Sequence, residues 1–425
     1  MGAHTATPIL IIGAGVFGLS TALELAKRGY RNITVLDRHV PPVVDGSSVD
    51  ISRIIRADYA DPVYAQMALE AQEGWATTYS DFYHQSGFAL FSEVPNSYLQ
   101  KSKETILEKG GYVDELSDLS RLRQLYPGVE ADVPGAQGYH NPSGGWADAA
   151  GSIGLLASQC SVAGVSFITG RRGTVHSLSR SGNKVTGVSL ADGTHLTASQ
   201  VILATGAWSN RLVDLSHTAA SSGQPVGFLQ LTPEEAKKFA KVPVMINFTT
   251  GVFSFPPTPG TNILKFARHG YGYATEAKSE ATGKTISGPR RDASNASSGY
   301  LPDDADEALR EGVKQLFPSL QDRPWSNRRM CWYTDTPAGD FIIDHHPNLQ
   351  GLFVATGGAG HGFKFLPVLG KYVADCFENK APKELREKWR LKAPAAGART
   401  LNMSGDGSRG GPPLRKLTVL EQSKL

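Results

Sequence analysis

The stretch Pro8 to Asp37, PILIIGAGVFGLSTALELAKRGYRNITVLD, limits what the chain can fold into more than any other. Its opening, Pro8 to Ile12, is apolar and isoleucine-rich, the pattern of a buried parallel strand. Gly13, Gly15 and Gly18 follow in a G-x-G-x-x-G spacing. In that pattern the first glycine turns the chain out of the strand. The second lets a pyrophosphate approach the backbone, and the third lets the next helix lie close on the sheet. A helix is predicted from Val16 to Arg28, with Leu19, Ala22, Leu23 and Ala26 on one face. Its N-terminus offers free N–H groups and the positive end of the helix dipole to phosphates. A second strand, Asn32 to Leu36, ends at Asp37, where a ribose hydroxyl needs an acceptor. An acid at that strand end favours NAD or FAD over NADP. The plainer alternative is a glycine-rich turn that merely packs a helix on a strand.

A chain of 425 residues is too long for one simple core, so two or more domains are expected. The formal charge of +3, with no dense Lys/Arg block, gives no case for nucleic acid. Cys160, Cys331 and Cys376 are an odd count, widely separated. They make neither a disulfide framework nor a metal-binding spacing and favour a reducing compartment. No apolar run is long enough to span a bilayer. The final Ser423-Lys424-Leu425 is an S-K-L address for the peroxisomal import receptor. The Gly-, Pro- and Ala-rich stretch before it, about Ala393 to Leu420, reads as part of a flexible tail over residues 391–425.

Between these ends the pattern alternates. Arg53 and Arg56 flank two isoleucines; in an extended segment they point to opposite faces, one toward a ligand and the other to solvent. Asp61-Pro62 starts a helix running to about Tyr79, whose core face is Tyr64, Met67, Ala68, Ala71 and Trp75. A strand is expected at Phe88 to Phe91, with helices at Ser97 to Lys109 and Ser117 to Tyr126. Gly144-Gly145-Trp146 reads as a turn, followed by a helix from Ala149 to Val162 and a strand from Val165 to Thr169. A small meander covers Lys184 to Ala198. Two apolar strands, beginning at Val201 and Leu352, both run into Ala-Thr-Gly. Such ends, far apart in sequence, suit a nucleotide-binding sheet assembled from separated segments and favour FAD over NAD. Stretches at Val226 to Leu231, Val244 to Phe248, Val252 to Phe255 and Ile263 to Ala267, with a helix from Asp303 to Leu316, suit a mainly antiparallel sheet covering one side of a flavin. A helix from Phe365 to Phe377 closes the folded part. The expected fold is α/β: a Rossmann-type (GR2-like) FAD-binding domain from residues 1–85, 145–215 and 325–390, plus an α+β substrate domain from 86–144 and 216–324.

Four landmarks carry a family resemblance. They are the glycine fingerprint, Ser52-Arg53-Ile54-Ile55-Arg56, the segment Met330 to Pro337 with its sequel Phe341 to Asp344, and Gly360-His361-Gly362-Phe363-Lys364. On these, over most of residues 8 to 390, the chain resembles the FAD-dependent amine oxidases of the monomeric sarcosine oxidase, pipecolate oxidase and fructosyl-amino-acid oxidase (amadoriase) family. The resemblance implies FAD held covalently by a thioether to Cys331, for which a thiolate is a suitable nucleophile. Cys160 and Cys376 read as small buried hydrophobes. Arg56 and Lys364 match a carboxylate clamp; a fork-shaped donor and an ammonium are the groups such a clamp needs. Lys265 and His269 match a Lys-x-x-x-His segment beside the flavin, in which the lysine promotes reaction with oxygen by stabilising developing negative charge. His361 is placed near the flavin. The implied cofactor contacts are Gly13, Gly15, Gly18, Asp37, Arg38, Ser47, Ser48, Gly206, Trp208, Cys331, Gly360, His361, Gly362 and Lys364. No metal is implied.

The activity implied is oxidation of the secondary amine of an N-substituted or cyclic amino acid to an imine that hydrolyses, with oxygen reduced to hydrogen peroxide. The partners implied are that small molecule, oxygen and the import receptor; the protein is expected to be a peroxisomal monomer. Asp50-Ile51-Ser52-Arg53 stands where amadoriases usually carry Asp-x-Asn-Lys, and Arg390 is a candidate second carboxylate contact. Three alternatives stay open: a dehydrogenase of the same fold, a biosynthetic oxidase of a specialised secondary amine, and a non-catalytic dinucleotide-binding protein.

Overall fold

The apolar run after Pro8 forms the strand Ile9–Ile12, buried along its whole length, in a computed structural model that describes residues 7–290, 298–392 and 405–425. It is central to a six-stranded sheet whose order is Ile342–His345, Leu352–Thr356, Gln200–Leu203, Ile9–Ile12, Ile33–Leu36, Ser166–Ile168. Only the first of these runs antiparallel to its neighbour. The two strands ending in Ala-Thr-Gly therefore lie side by side, next to the glycine-fingerprint strand. Strands buried on both faces need covering by helices. Helix Val16–Lys27 does this, packed between Ala149–Val162 and Leu366–Phe377.

The second large element is a ten-stranded, mainly antiparallel sheet. Its long strand Ala220–Gln230 pairs on one side with Ile263–Arg268 and on the other with Asn327–Asp335. That pairing sets Lys265 opposite Phe228 and Cys331 opposite Gln224, so one strand holds both candidate residues in register. A smaller sheet joins Arg53–Ile55, Gly145–Ala147 and Tyr83–His84. Separate apolar cores form under the glycine-fingerprint helix and between the large sheet and helix Asp303–Leu316.

Most predicted elements appear within a few residues of their expected ends. Helix Ser97–Glu108 and helix Pro62–Ala76 are capped by Asn96 and Asp61. Three expectations fail. Gly145 and Trp146 are not in a turn but in a strand, because Ile54 and His84 pair with Trp146 from both sides. The helix expected from Ser117 covers only Ser120–Leu125: the Asp118 carboxylate accepts the Ser120 N–H at 2.6 Å and bends the chain first.

The third failure is the tail. Residues 405–425 are folded onto the protein, while residues 393–404 lie outside the described residues. Arg415–Lys416 adds a strand beside Tyr273–Ala274. Helix Val419–Lys424 starts with a Thr418/Glu421 capping box. Leu417 and Leu425 pack against the second core. A few apolar anchors and ion pairs outweigh the entropy that a Gly- and Pro-rich composition adds to the unfolded chain. The Ser423-Lys424-Leu425 tripeptide is part of this docked end, with Arg290 donating to the Gln422 and Ser423 carbonyls at 3.1 and 2.8 Å. No described helix is long and apolar enough to cross a membrane.

Candidate active site

The first strand ends where the chain must turn sharply. Gly13 has φ +109°, and a Cβ there would lie 2.4 Å from the Ala204 carbonyl oxygen of the neighbouring strand. A Cβ on Gly18 would lie 1.9 Å from the Gly13 oxygen, so this glycine lets the helix approach, as its place in the motif predicts. Asp37 accepts the Ala14 N–H at 2.7 Å and the His39 N–H at 3.2 Å, which bends the strand end back over the glycine turn. Ser48 accepts the Val16 N–H at 2.9 Å. Arg38 reaches both Asp45 oxygens, at 3.0 and 2.9 Å, and lies 4.6 Å from the Trp208 ring.

A continuous cavity of about 280 Å³ runs from Asp37 and Arg38 past Gly13, Gly15 and Ser48, beneath Gly206 and Trp208, to Cys331 and Lys265. It ends at Arg56, His269, His361 and Lys364. Of the residues singled out from sequence, only Gly18 and Arg390 are outside its lining. Gly18 serves helix packing; Arg390 is at the surface, 3.2 Å from Glu387, and does not serve the cavity.

Midway along the cavity sits a buried charge cluster. Asp50 receives Lys265 at 2.7 Å, Arg53 at 2.7 Å and Arg329 at 2.9 Å, all on one oxygen. Burial disfavours the Asp50 charge, but the three cations hold its pKa far below the carboxylate range. Burial pulls Lys265 down to about 7, with Asp50 opposing and Arg53 assisting. Lys265 also donates to the Ser52 carbonyl at 2.8 Å. Arg53 does not meet solvent, as an extended strand would have it. Its guanidinium turns in to Asp50 and comes 3.8 Å from the Cys331 sulfur. Cys160 and Cys376 lie away from the cavity, and burial pushes both up to about 12. Ser47 donates to the Trp332 carbonyl, tying the loop after Asp37 to the Cys331 strand.

The far end is cationic and aromatic. Arg56 is buried; one terminal nitrogen donates to the Tyr98 hydroxyl at 3.2 Å, and the other, Nη1, has no hydrogen-bond partner among the described residues. The Tyr59 ring is flanked by the Arg56 guanidinium at 4.6 Å and the Lys364 ammonium at 5.4 Å. Lys364 is buried, and burial, then Arg56, pushes its pKa well below the lysine range. His361 Nε2 is 2.8 Å from the Gly339 carbonyl, so it carries the proton; Nδ1 then accepts from the Tyr59 hydroxyl at 3.0 Å. Burial, then Lys364, lowers its pKa to about 3, so the ring is neutral. His269 joins the Tyr333 hydroxyl at 3.3 Å and the Ser408 hydroxyl at 2.9 Å.

Sequence reading missed Asp50, Arg329, Tyr59, Asp406 and Ser408. Asp50 left a trace in its i, i+3 spacing to Arg53; the last two fell within a stretch read as a flexible tail.

The glycine cradle, the Asp37 bend and the paired strand ends fit an FAD held along this cavity. Comparison with known proteins agrees. The chain matches the family described as FAD dependent oxidoreductase over residues 8–376. It is 34% identical to L-saccharopine oxidase of Schizosaccharomyces pombe, covering 90% of this chain and 93% of that one. It is 27% identical to monomeric sarcosine oxidase of a Bacillus species, covering 86% and 91%. The structure of fructosamine oxidase (Amadoriase II) from Aspergillus fumigatus in complex with FSA superposes with a TM-score of 0.86, at 30% identity, covering 97% and 96%. On this match and this cavity, the chain belongs to the FAD-dependent oxidoreductase family, among relatives that are amine oxidases acting on CH–NH groups.

Proposed function

We propose that the protein oxidises the secondary amine of an N-substituted or cyclic amino acid to an imine that hydrolyses, with oxygen reduced to hydrogen peroxide. The observation that carries this is the pair Arg56 and Lys364, two buried basic side chains over one tyrosine ring, with Arg56 Nη1 unpartnered among the described residues. Leaving a buried guanidinium nitrogen unpaired costs free energy unless a ligand pairs it. A carboxylate answers both cations. Saccharopine and sarcosine, named in the relatives, are secondary amines bearing carboxylates, which supports the same reading.

Bound FAD, tethered through Cys331, would supply the electron sink for a hydride leaving the carbon beside nitrogen and deliver the electrons to oxygen. The chain's own part is placement. Arg56 and Lys364 fix the carboxylate, so the amine approaches in one orientation. The Arg56 guanidinium disfavours a second positive charge beside it, which keeps the reacting amine in its neutral, reactive form. Neutral His361 and the rings of Phe363 and Phe248 line that end and exclude water from it. Lys265 places a buried ammonium where oxygen would acquire negative charge.

We further read residues 1–85, 145–215 and 325–390 as the cofactor-binding unit and 86–144 with 216–324 as the substrate unit, the strand of Cys331 joining the sheet of the latter. We read the protein as a monomer. Ser423-Lys424-Leu425 supports peroxisomal import; a fluorescent fusion to the N-terminus should be punctate and become diffuse when these three residues are removed.

The test is a panel of sarcosine, pipecolate, saccharopine and fructosyl amino acids, read by oxygen uptake and peroxide release. Turnover of at least one with stoichiometric peroxide is expected. Turnover only with an artificial electron acceptor would replace the oxidase reading with a dehydrogenase.

A further inference from the structure

The C-terminal segment borders the cavity through Asp406 and Ser408 and is clamped there. Arg409 forms a buried ion pair with Asp335 at 2.5 Å and donates to the Gly270 carbonyl at 3.2 Å. Gly410 N–H donates to the His269 carbonyl at 3.1 Å, and Gly411 N–H to the Thr249 carbonyl at 3.0 Å. These fixed points deliver Asp406 and Ser408 to the cavity wall, at the end occupied by Arg56 and Lys364.

Four carboxylates line the cavity: Asp37, Asp50, Glu280 and Asp406. Asp37 is taken by two backbone N–H groups, Asp50 by three cations, and Glu280 by Arg211 at 3.1 Å. Asp406 differs. Its Oδ1 accepts the Ser408 N–H at 3.1 Å and the Ser408 hydroxyl at 2.5 Å, while Oδ2 has no hydrogen-bond partner among the described residues; the carboxylate acts on His361, His269 and Lys364 only through its field. Ser408 in turn is held by His269 at 2.9 Å, so the carboxylate is fixed in orientation. The backbone brings it against Gly339, the residue whose carbonyl receives His361; a Cβ at Gly339 would lie 3.6 Å from the Asp406 Cβ. Asp406 is exposed, and it borders the cavity.

A carboxylate here is unsuited to the amine being oxidised. It would stabilise the protonated nitrogen, which has no lone pair to assist hydride departure. It suits a second cation elsewhere on the same molecule. We propose that Asp406 is a specificity-determining residue whose free oxygen receives a non-reacting primary ammonium group of the substrate, while Arg56 and Lys364 hold its carboxylate. The substrate class is then a diamino acid in which one nitrogen is the secondary amine and the other stays a charged ammonium. The inference rests on the amine-oxidation reading and narrows it.

Two paired probes test this with the flavin-loaded, full-length enzyme. The first pair is Nα-methyl-lysine and N-methyl-norleucine, which differ by the terminal ammonium. The wild type should favour the lysine derivative at least tenfold in kcat/KM, mostly through KM. In Asp406→Asn, which keeps the shape and an acceptor for Ser408, the ratio should fall to near one. The second pair, 6-aminohexanoate and hexanoate, is not oxidised and is followed by calorimetry. The amino compound should bind about tenfold more tightly, and Asp406→Asn should abolish the difference. If the calorimetric preference appears but neither methylated amino acid is turned over, Asp406 stands and the amine reading falls. Oxidation of both with no preference for the ammonium, and equal binding of the acid pair, would overturn the assignment of Asp406.

Discussion

Lys265 and Asp50 form a fully buried ion pair at 2.7 Å, and Asp50 shares its oxygen with Arg53 and Arg329. Within this buried site Asp50 is the group that opposes loss of the Lys265 charge. Burial lowers the Lys265 pKa to about 7, and Asp50 works against that fall. Charge on Lys265 is therefore present below about pH 7 and lost above it. If Lys265 stabilises negative charge on oxygen, the rate of reoxidation by oxygen should decline as pH rises through about 7. Lys265→Met should slow that step by roughly 100- to 1,000-fold, about 3–4 kcal/mol, the effect of removing one well-placed donor. Rapid-mixing measurements of the two half-reactions decide it. Equal slowing of anaerobic reduction would remove Lys265 from the oxygen step.

Asp50→Asn tests the same cluster from its other side. Without the carboxylate, Lys265, Arg53 and Arg329 face one another unneutralised, and breaking a buried pair costs about 3–5 kcal/mol. Lys265 also loses the charge that raised its pKa, so the midpoint of the oxygen step should move to lower pH. A variant with wild-type melting temperature and an unmoved pH profile would show that Asp50 plays neither part.

The Arg56 and Lys364 cations make an opposite prediction for stability. The Lys364 pKa is depressed in the folded chain, by burial first and Arg56 second. The unfolded chain then binds more protons from that depressed value up to about 10.4, so stability rises with pH across this window. Below it the penalty is complete. Lys364→Met should raise the melting temperature at neutral pH and flatten this slope. It should also raise KM by roughly 10- to 100-fold, about 1.4–2.8 kcal/mol of lost carboxylate contact. A loss of stability together with unchanged KM would assign Lys364 to packing instead.

Where legibility stopped follows from how far each interaction reaches along the chain. The fingerprint strand, its helix and Asp37 were readable because turn geometry and periodicity act within about 30 residues. Cys331, Lys265, Arg56 and Lys364 were picked out by motif resemblance, and the cavity does bring them together. The inward turn of Arg53 was readable only in part: its i, i+3 spacing to Asp50 is local, but Lys265 and Arg329, which share Asp50, and the Cys331 thiol lie more than 200 residues away. The order of residues 405–425 was missed for the same reason. Composition describes the unfolded chain well, but Arg409 is fixed by Asp335, Ser408 by His269, and Arg415 by Asp304 at 2.8 Å.

Cys331 has the sharpest test. The wild-type protein should stay yellow after acid precipitation, because a thioether survives it, and Cys331→Ser should release all flavin to the supernatant. Cys160→Ser and Cys376→Ser should leave the flavin attached, since burial holds both thiols near 12 and neither lines the cavity. Arg53→Met should slow attachment during reconstitution of apoprotein with FAD, because the cation beside the sulfur is gone. Release of flavin from wild type with Cys331 intact would end the covalent assignment.

The docked end predicts a coupling between stability and substrate binding. Arg409 and Asp335 are both buried, and Asp335 also accepts the Ser222 hydroxyl at 2.5 Å. Arg409→Met leaves Asp335 with one donor in place of two, a loss of about 3–5 kcal/mol on breaking a buried pair. It should also loosen Ser408 from His269. The expected signature is a lower melting temperature, new protease cleavage within residues 405–425, and a raised KM, with flavin content unchanged because Gly13, Asp37 and Cys331 are untouched. Removing residues 405–425 altogether should reproduce the KM effect. Loss of flavin in step with the tail would mean instead that the segment supports the cofactor end of the cavity, and unchanged KM in the truncated chain would leave it a stabilising strap alone.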